Sequence, residues 1–272
     1  MNLVDTSERE ADTQAARYQA SFFGPFRITL NGNPLGEPTW RRNRARTLLK
    51  WFLINPSTSF SEEQLCAYFW PDRCRQKASN NLHVTLHYLR HVLEPGLPPR
   101  GLSTFVRRNA NKHYWFDPQG LWWTDVSEVR DLLAAARLAK RRGDVAQAIR
   151  LYERSVSYYQ LTFLPEELYE DVFSTHRFEH DTAHADSLNE LMHLYLCAGQ
   201  LPNALSCATQ LLAIDPSCEN AVKSIVHVYL RQGNVSGALR QLDDFLAGQA
   251  RQGGATVGSE LLTLRSNILL AR

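Results

Sequence analysis

The chain has 272 residues, 44% hydrophobic and 21% charged, enough for one large or two ordinary globular domains. No run approaches the ~18 apolar residues of a membrane span, so a membrane partner is not expected, and residues 1–21 carry acids without an apolar core and are expected to form a disordered tail rather than a signal peptide. The net charge of +2 hides an asymmetry: residues 22–120 hold 14 Lys and Arg against 6 Asp and Glu, whereas residues 121–272 hold 14 against 18.

A basic module joined to an acidic one is the footprint of a nucleic-acid reader carrying a protein-contact domain. Five scattered cysteines (Cys66, Cys74, Cys197, Cys207 and Cys218), with no Cys-x-x-Cys pair, point to reduced thiols and a cytoplasmic location.

In chain order, Phe26, Ile28 and Leu30 alternate with Arg27 and Thr29 before Asn31-Gly32, which predicts a hairpin opening a small antiparallel sheet. Ala45, Leu48, Leu49 and Phe52 mark a first helix, and its opening turns carry Arg41, Arg42, Arg44 and Arg46. Ser61-Glu62-Glu63-Gln64 fits a capping box for a second short helix whose buried side is Leu65, Tyr68 and Phe69.

The third helix organises the module. Leu82, Leu86, Leu89 and Leu93 fall at i, i+4, i+7 and i+11, one apolar stripe, and Glu94-Pro95-Gly96 ends it. Its other faces present Lys77, Asn80, His83, Val84, His87, Tyr88 and His91 and no acid, a set able to read base edges and phosphates. Residues 104–108 and 113–116 then read as two strands around a turn, with Arg107, Arg108 and Lys112 as positive charges. Sheet, three helices and a basic hairpin in this order make a winged helix-turn-helix: the third helix enters the major groove and the hairpin follows the backbone. Arg44 and Arg46 would touch phosphate from the first helix.

From Trp122 onward the chain reads as helical. Gly143, Gly199 and Gly233 each precede Ala148, Ala204 and Ala238 in a Gly-x-x-x-x-Ala pattern, and the last two glycines lie 34 residues apart, the tetratricopeptide period. Glycine ends the first helix of each hairpin, and alanine lets the second approach closely. The fold class is therefore mainly α: a winged helix-turn-helix (α+β) over 22–120, then an all-α tetratricopeptide-like domain over 121–272.

With a winged helix followed by tetratricopeptide-like hairpins, the chain resembles the SARP-type bacterial transcriptional activators, in which an OmpR-like winged helix precedes a bacterial transcriptional activation domain. The resemblance rests on residues 24–28, 44–49, 65–72, 80–84, 89–90, 163–166 and 168–171, and covers about residues 22–271. It implies double-stranded DNA and RNA polymerase as partners, with a homodimer on repeated half-sites. Tyr88 and His91 stand where family members carry basic residues, and Gly248–Gly258 replaces a segment that is normally acidic. The hairpin turn lacks the usual proline- or glycine-rich tip, and without a nucleotide-binding or receiver domain the chain reads as the short form of the family.

Nothing in the sequence suggests catalysis or a cofactor: there is no Gly-x-x-x-x-Gly-Lys, Gly-x-Gly-x-x-Gly or Gly-x-Ser-x-Gly. His83, His87 and His91 repeat at i, i+4 and i+8, but neither a following glutamate nor a cysteine pair supports a metal site. The acids Glu166, Glu167, Glu170 and Asp171 read as a helix N-terminus complementing its dipole, or as a linker facing a basic polymerase surface. The functional reading is a sequence-specific transcription activator. Its rival is a tetratricopeptide scaffold whose basic module docks an acidic protein.

Overall fold

The computed structural model describes residues 17–35, 43–98, 101–168, 170–251 and 259–270, and these divide into two compact units. The first comprises residues up to Val129 together with Leu161–Arg177; the second comprises Arg130–Gln160 and Phe178 onward. Arg41, Arg42 and residues 1–16 of the expected tail lie outside the described residues.

The first unit opens with β1 (Tyr18–Ser21), β2 (Arg27–Leu30) and β3 (Asn33–Pro34). Asn31 at φ 50° and Gly32 at φ 79° supply the two left-handed residues of a primed turn, which pairs Leu30 with Asn33 as the sequence predicts. Two strands depart from the sequence reading. Tyr18–Ser21 is ordered as β1, and Trp122–Thr124, read as helical, forms β7 parallel to it; the sheet runs β3-β2-β1-β7. Each signal is only three or four residues long, and the partner lies about a hundred residues away. What holds them is aromatic: the Tyr18 ring stacks on Trp122 at 4.6 Å, and Phe105 meets both rings edge-on.

Three helices follow: α1 (Asn43–Ile54), α2 (Glu62–Phe69) and α3 (Arg75–Leu93). Leu48, Leu49 and Phe52 of α1, Leu65 and Phe69 of α2, and Leu82, Leu86, Leu89 and Leu93 of α3 are all buried. The capping box at α2 is complete. Ser61 Oγ accepts from the Gln64 amide at 3.1 Å, and the Gln64 side chain accepts from the Ser61 amide at 2.8 Å. The wing, β5 (Val106–Arg108) and β6 (His113–Phe116), gains a third strand, β4 (Phe60–Ser61), in the order β4-β6-β5.

Asp125 closes the first sheet. Its carboxylate accepts from the amides of Phe22 (2.7 Å) and Phe23 (3.0 Å), yet the residue is 3% exposed. Burial pushes its carboxyl up to about 6, against the pull of those two amides. A folded-state value above the unfolded one stabilises at low pH, and that contribution is lost as pH rises from about 4 through about 6. Relative to Asp125→Asn, which cannot ionise, the wild type is expected to lose on the order of 2 kcal/mol across that window. Denaturant titrations of both proteins at each pH measure the difference; a difference that does not change with pH would refute it.

Leu161–Arg177 joins this unit through backbone pairing. The Gly24 amide donates to Thr162 O and the Leu164 amide to Phe22 O, both at 2.9 Å, with Phe23 bridged to Phe163. Leu164 is fully buried at φ 44°, a left-handed conformation that a branched side chain adopts only when its surroundings dictate it. The Pro165–Glu167 turn delivers two carboxylates to Lys50 Nζ, Glu166 at 2.9 Å and Glu167 at 2.6 Å, although Lys50 is 1% exposed. Two of the acids read as a dipole complement or polymerase-facing linker thus serve as counter-ions for a buried lysine.

In the second unit, α4 (Asp125–Arg141), which begins in the first, precedes α5 (Val145–Tyr158). Then come α6 (Ser174–Cys197), also begun in the first unit, α7 (Leu201–Ile214), α8 (Glu219–Arg231), α9 (Val235–Arg251) and α10 (Ser259–Leu270). The Gly-x-x-x-x-Ala pattern does what its spacing predicts. Gly143, Gly199 and Gly233 adopt φ of 77°, 72° and 71°. Each ends its helix with the same closure: the following amide donates back to Ala139, Tyr195 and Tyr229 at 2.8–3.0 Å. Ala148, Ala204 and Ala238 are 0% exposed, so each hairpin's second helix packs without a gap for a larger side chain. The last hairpins share a core of Val222, Val226, Leu242, Phe245 and Leu261.

Candidate nucleic-acid interface

The α3 sequence has no acid in 19 residues, and the leucine stripe fixes which side chains face outward. Lys77, Asn80, His83, Val84 and His87 are exposed, while Tyr88 and His91 are half-buried. Val84 is 47% exposed, which no core role explains. Asn80 Oδ1 accepts from Gln76 Nε2 at 3.2 Å. The His87 and His91 rings lie 4.3 Å apart, and His91 Nδ1 sits 2.9 Å from His87 O, so the two imidazoles form one group near the helix end.

The wing is fixed to the same helix. Arg90 donates from its guanidinium to Val106 O at 3.0 and 3.2 Å, and Glu94 accepts from the Thr104 amide at 2.8 Å and from Ser103 Oγ. The sequence reading placed Glu94 at the helix end and Arg90 in the family resemblance but gave neither a tie to the wing, although a carboxylate at the helix end ahead of a Ser-Thr pair is a local signal. The Asn109–Lys112 turn is closed by the Asn109 side chain, which accepts from the His113 amide at 3.0 Å, and Lys112 takes φ 57°. Arg108 lies over the Tyr114 ring at 5.6 Å, whereas Arg107 is partly engaged, donating to Thr104 O at 3.0 Å with Asp117 at 3.6 Å.

The α2 N-terminus ties wing to helix. The Glu62 amide donates to Lys112 O at 3.0 Å, its Oε1 accepts from Ser79 Oγ at 2.6 Å, and its Oε2 stands 3.4 Å from His83 Nε2 and 3.8 Å from Lys112 Nζ. The cleft there, about 540 Å³, is lined by Glu62, Ser79, Asn111, Lys112 and His113 among others. Arg44 and Arg46 belong elsewhere. Arg44 pairs with Glu170 at 3.1 Å, and Arg46 donates to Phe26 O at 2.7 Å with its guanidinium over the Phe26 ring; both line a separate cleft with Lys50 and Glu166. The structure therefore brings the α3 and wing residues together and leaves these two arginines apart.

Residues 124–269 match the Bacterial transcriptional activator domain family, more than half of the chain. The chain belongs to that family. Membership bears out the SARP-type resemblance, and the family is one of transcriptional regulators rather than enzymes. Among solved structures, Mycobacterium tuberculosis EmbR in complex with a low affinity phosphopeptide is similar at a TM-score of 0.78 and 17% identity, over 94% of this chain and 66% of EmbR. At that identity the likeness is one of fold, and it supports the expected fold class; this chain spans just under two thirds of EmbR. The C-terminal TPR-containing domain of a Plasmodium falciparum FK506-binding protein is similar at a TM-score of 0.40 and 14% identity, over 55% of this chain and 93% of that one. No curated protein matches the chain in sequence. No described helix of this transcriptional activator domain protein is long and apolar enough to cross a membrane.

Proposed function

We propose that the first unit reads duplex DNA sequence-specifically, with α3 in the major groove and the wing along the backbone, and that the helical unit holds protomers on repeated half-sites and contacts RNA polymerase. The observation that carries this is the acid-free exposed face of α3 standing beside a basic wing turn fixed to it. Amide, imidazole and small apolar groups suit base edges, and Lys112 suits a phosphate. Arg44 and Arg46 would contribute only by leaving Glu170 and Phe26. Family membership supports the activating role.

The test is binding of the full chain to a duplex selected from a random pool and to its shuffled counterpart. Asn80→Ala and His87→Ala are each expected to lower the selected-to-shuffled ratio by about 1–3 kcal/mol, while Lys112→Ala weakens both duplexes alike. Equal loss on both duplexes for all three variants would refute α3 as the reading helix. With purified polymerase, the full chain is expected to stimulate transcription from a promoter carrying the selected site. A scaffold docking an acidic protein would select no duplex and stimulate nothing.

A further inference from the structure

Asp117 stands beside Arg107 at the base of the wing, but among the described acids it is Glu62 that reaches both α3 and the wing turn, and α2 capping accounts only for its backbone. Its side chain is 13% exposed and reaches both reading elements: Ser79 and His83 on α3, and Lys112 on the wing turn. The Ser79 hydroxyl, helped by the neighbouring cations, holds its carboxyl below the usual carboxylate range, so it is charged at neutral pH. Glu63 beside it is paired with Arg75. A carboxylate this close to Lys112 opposes any phosphate approaching that ammonium, and a simple backbone binder has no use for it.

We infer that Glu62 is a positioning residue that sets sequence selectivity: it locks α3 and the wing turn into one surface and weakens every approach to phosphate that base contacts do not accompany. This rests on the DNA-reading proposal above. A rigid pair of elements admits fewer registers on the duplex, and a fixed negative charge removes part of the sequence-independent attraction. Affinity for arbitrary DNA is lowered so that the difference between right and wrong sites grows.

Glu62→Gln keeps the size of the side chain and the oxygen that accepts from Ser79, and removes the charge. With the full chain, its affinity for the shuffled duplex is expected to rise about threefold, as for release of a partly exposed charge pair. The slope of log affinity against log salt should steepen by up to about 0.9, one further phosphate contact. The selected-to-shuffled ratio should fall about tenfold, the loss of one good base contact. Ser79→Ala keeps the charge and breaks the tie, so the ratio should fall with the slope unchanged. A ratio and slope both unchanged in Glu62→Gln, or equal weakening on both duplexes, would overturn the inference. Should Glu62→Gln fail to fold, an unchanged ratio in Ser79→Ala overturns it instead. If the wild type selects no duplex, the DNA-reading proposal falls and this inference with it, an outcome distinct from the others.

Discussion

Lys50→Met is expected to destabilise the first unit by about 3 kcal/mol, because it strands two carboxylates around a site built for an ammonium. Lys50 is 1% exposed, and Glu167 and Glu166 are 12% and 33% exposed. Met retains most of the stem volume, so the loss isolates the charge. All six tryptophans fall between residues 40 and 123, so their fluorescence follows the first unit alone during denaturation. The pH dependence fixes the cause. In the wild type, burial raises the Glu166 carboxyl, but the Lys50 ammonium and the Phe26 amide more than offset this, and it titrates below the usual range. Such a group stabilises above its unfolded value and loses that contribution as pH falls through its folded one. In Lys50→Met the ammonium's share is gone and only backbone amides still oppose burial, so the Glu166 carboxyl rises relative to the wild type and the variant lacks that charge-dependent stabilisation. The gap between the two proteins should therefore close as pH falls from 7 toward the carboxylate range. A gap below about 1 kcal/mol that ignores pH would refute this account.

A chain cut after residue 120 is expected not to fold, although the sequence reading places a complete domain over 22–120. The cut removes β7, the Asp125 carboxylate that receives the Phe22 and Phe23 amides, and the whole of 161–177. Burying Phe163 or Leu164 is worth about 1.5–3 kcal/mol each, and losing the partners of Lys50 costs about 3–5 kcal/mol more. Together these match the whole stability of an ordinary domain, roughly 5–15 kcal/mol. The fragment should show no cooperative tryptophan transition and should bind an apolar dye. A sharp transition in residues 17–120 would mean that the later segments only decorate a finished fold.

What the sequence made legible was local. The leucine stripe of α3, the Ser61–Gln64 capping box and the three glycine closures each involve residues within about three helical turns, where spacing alone dictates geometry. What it hid was pairing at a distance. Tyr18 meets Trp122, Asp125 meets Phe22, and Glu166 meets Lys50, across roughly 100 residues each. The candidate interface divides the same way. Exposure of Asn80, Val84 and His87 follows from helical phase. The engagement of Arg46 by Phe26 and the reach of Glu62 to Ser79 depend on which elements the fold sets side by side. A basic residue in a basic module reads as a phosphate contact until its partner is known.

The return of Leu161–Arg177 to the first unit also sets a timetable. On the ribosome, where chains grow at about 5–20 residues per second, synthesis from residue 120 to residue 177 takes roughly 3–11 s. For most of that interval, until residues 163–167 have been made, Phe22 and Phe23 lack Phe163, and Lys50 lacks its counter-ions. The helices α4 and α5 emerge in the meantime, before the unit that precedes them can close. A nascent chain stalled within this window would expose apolar rings to chaperones and proteases, whereas one stalled past residue 177 would not. Translation speed through these codons thus becomes a determinant of how much regulator reaches its native state.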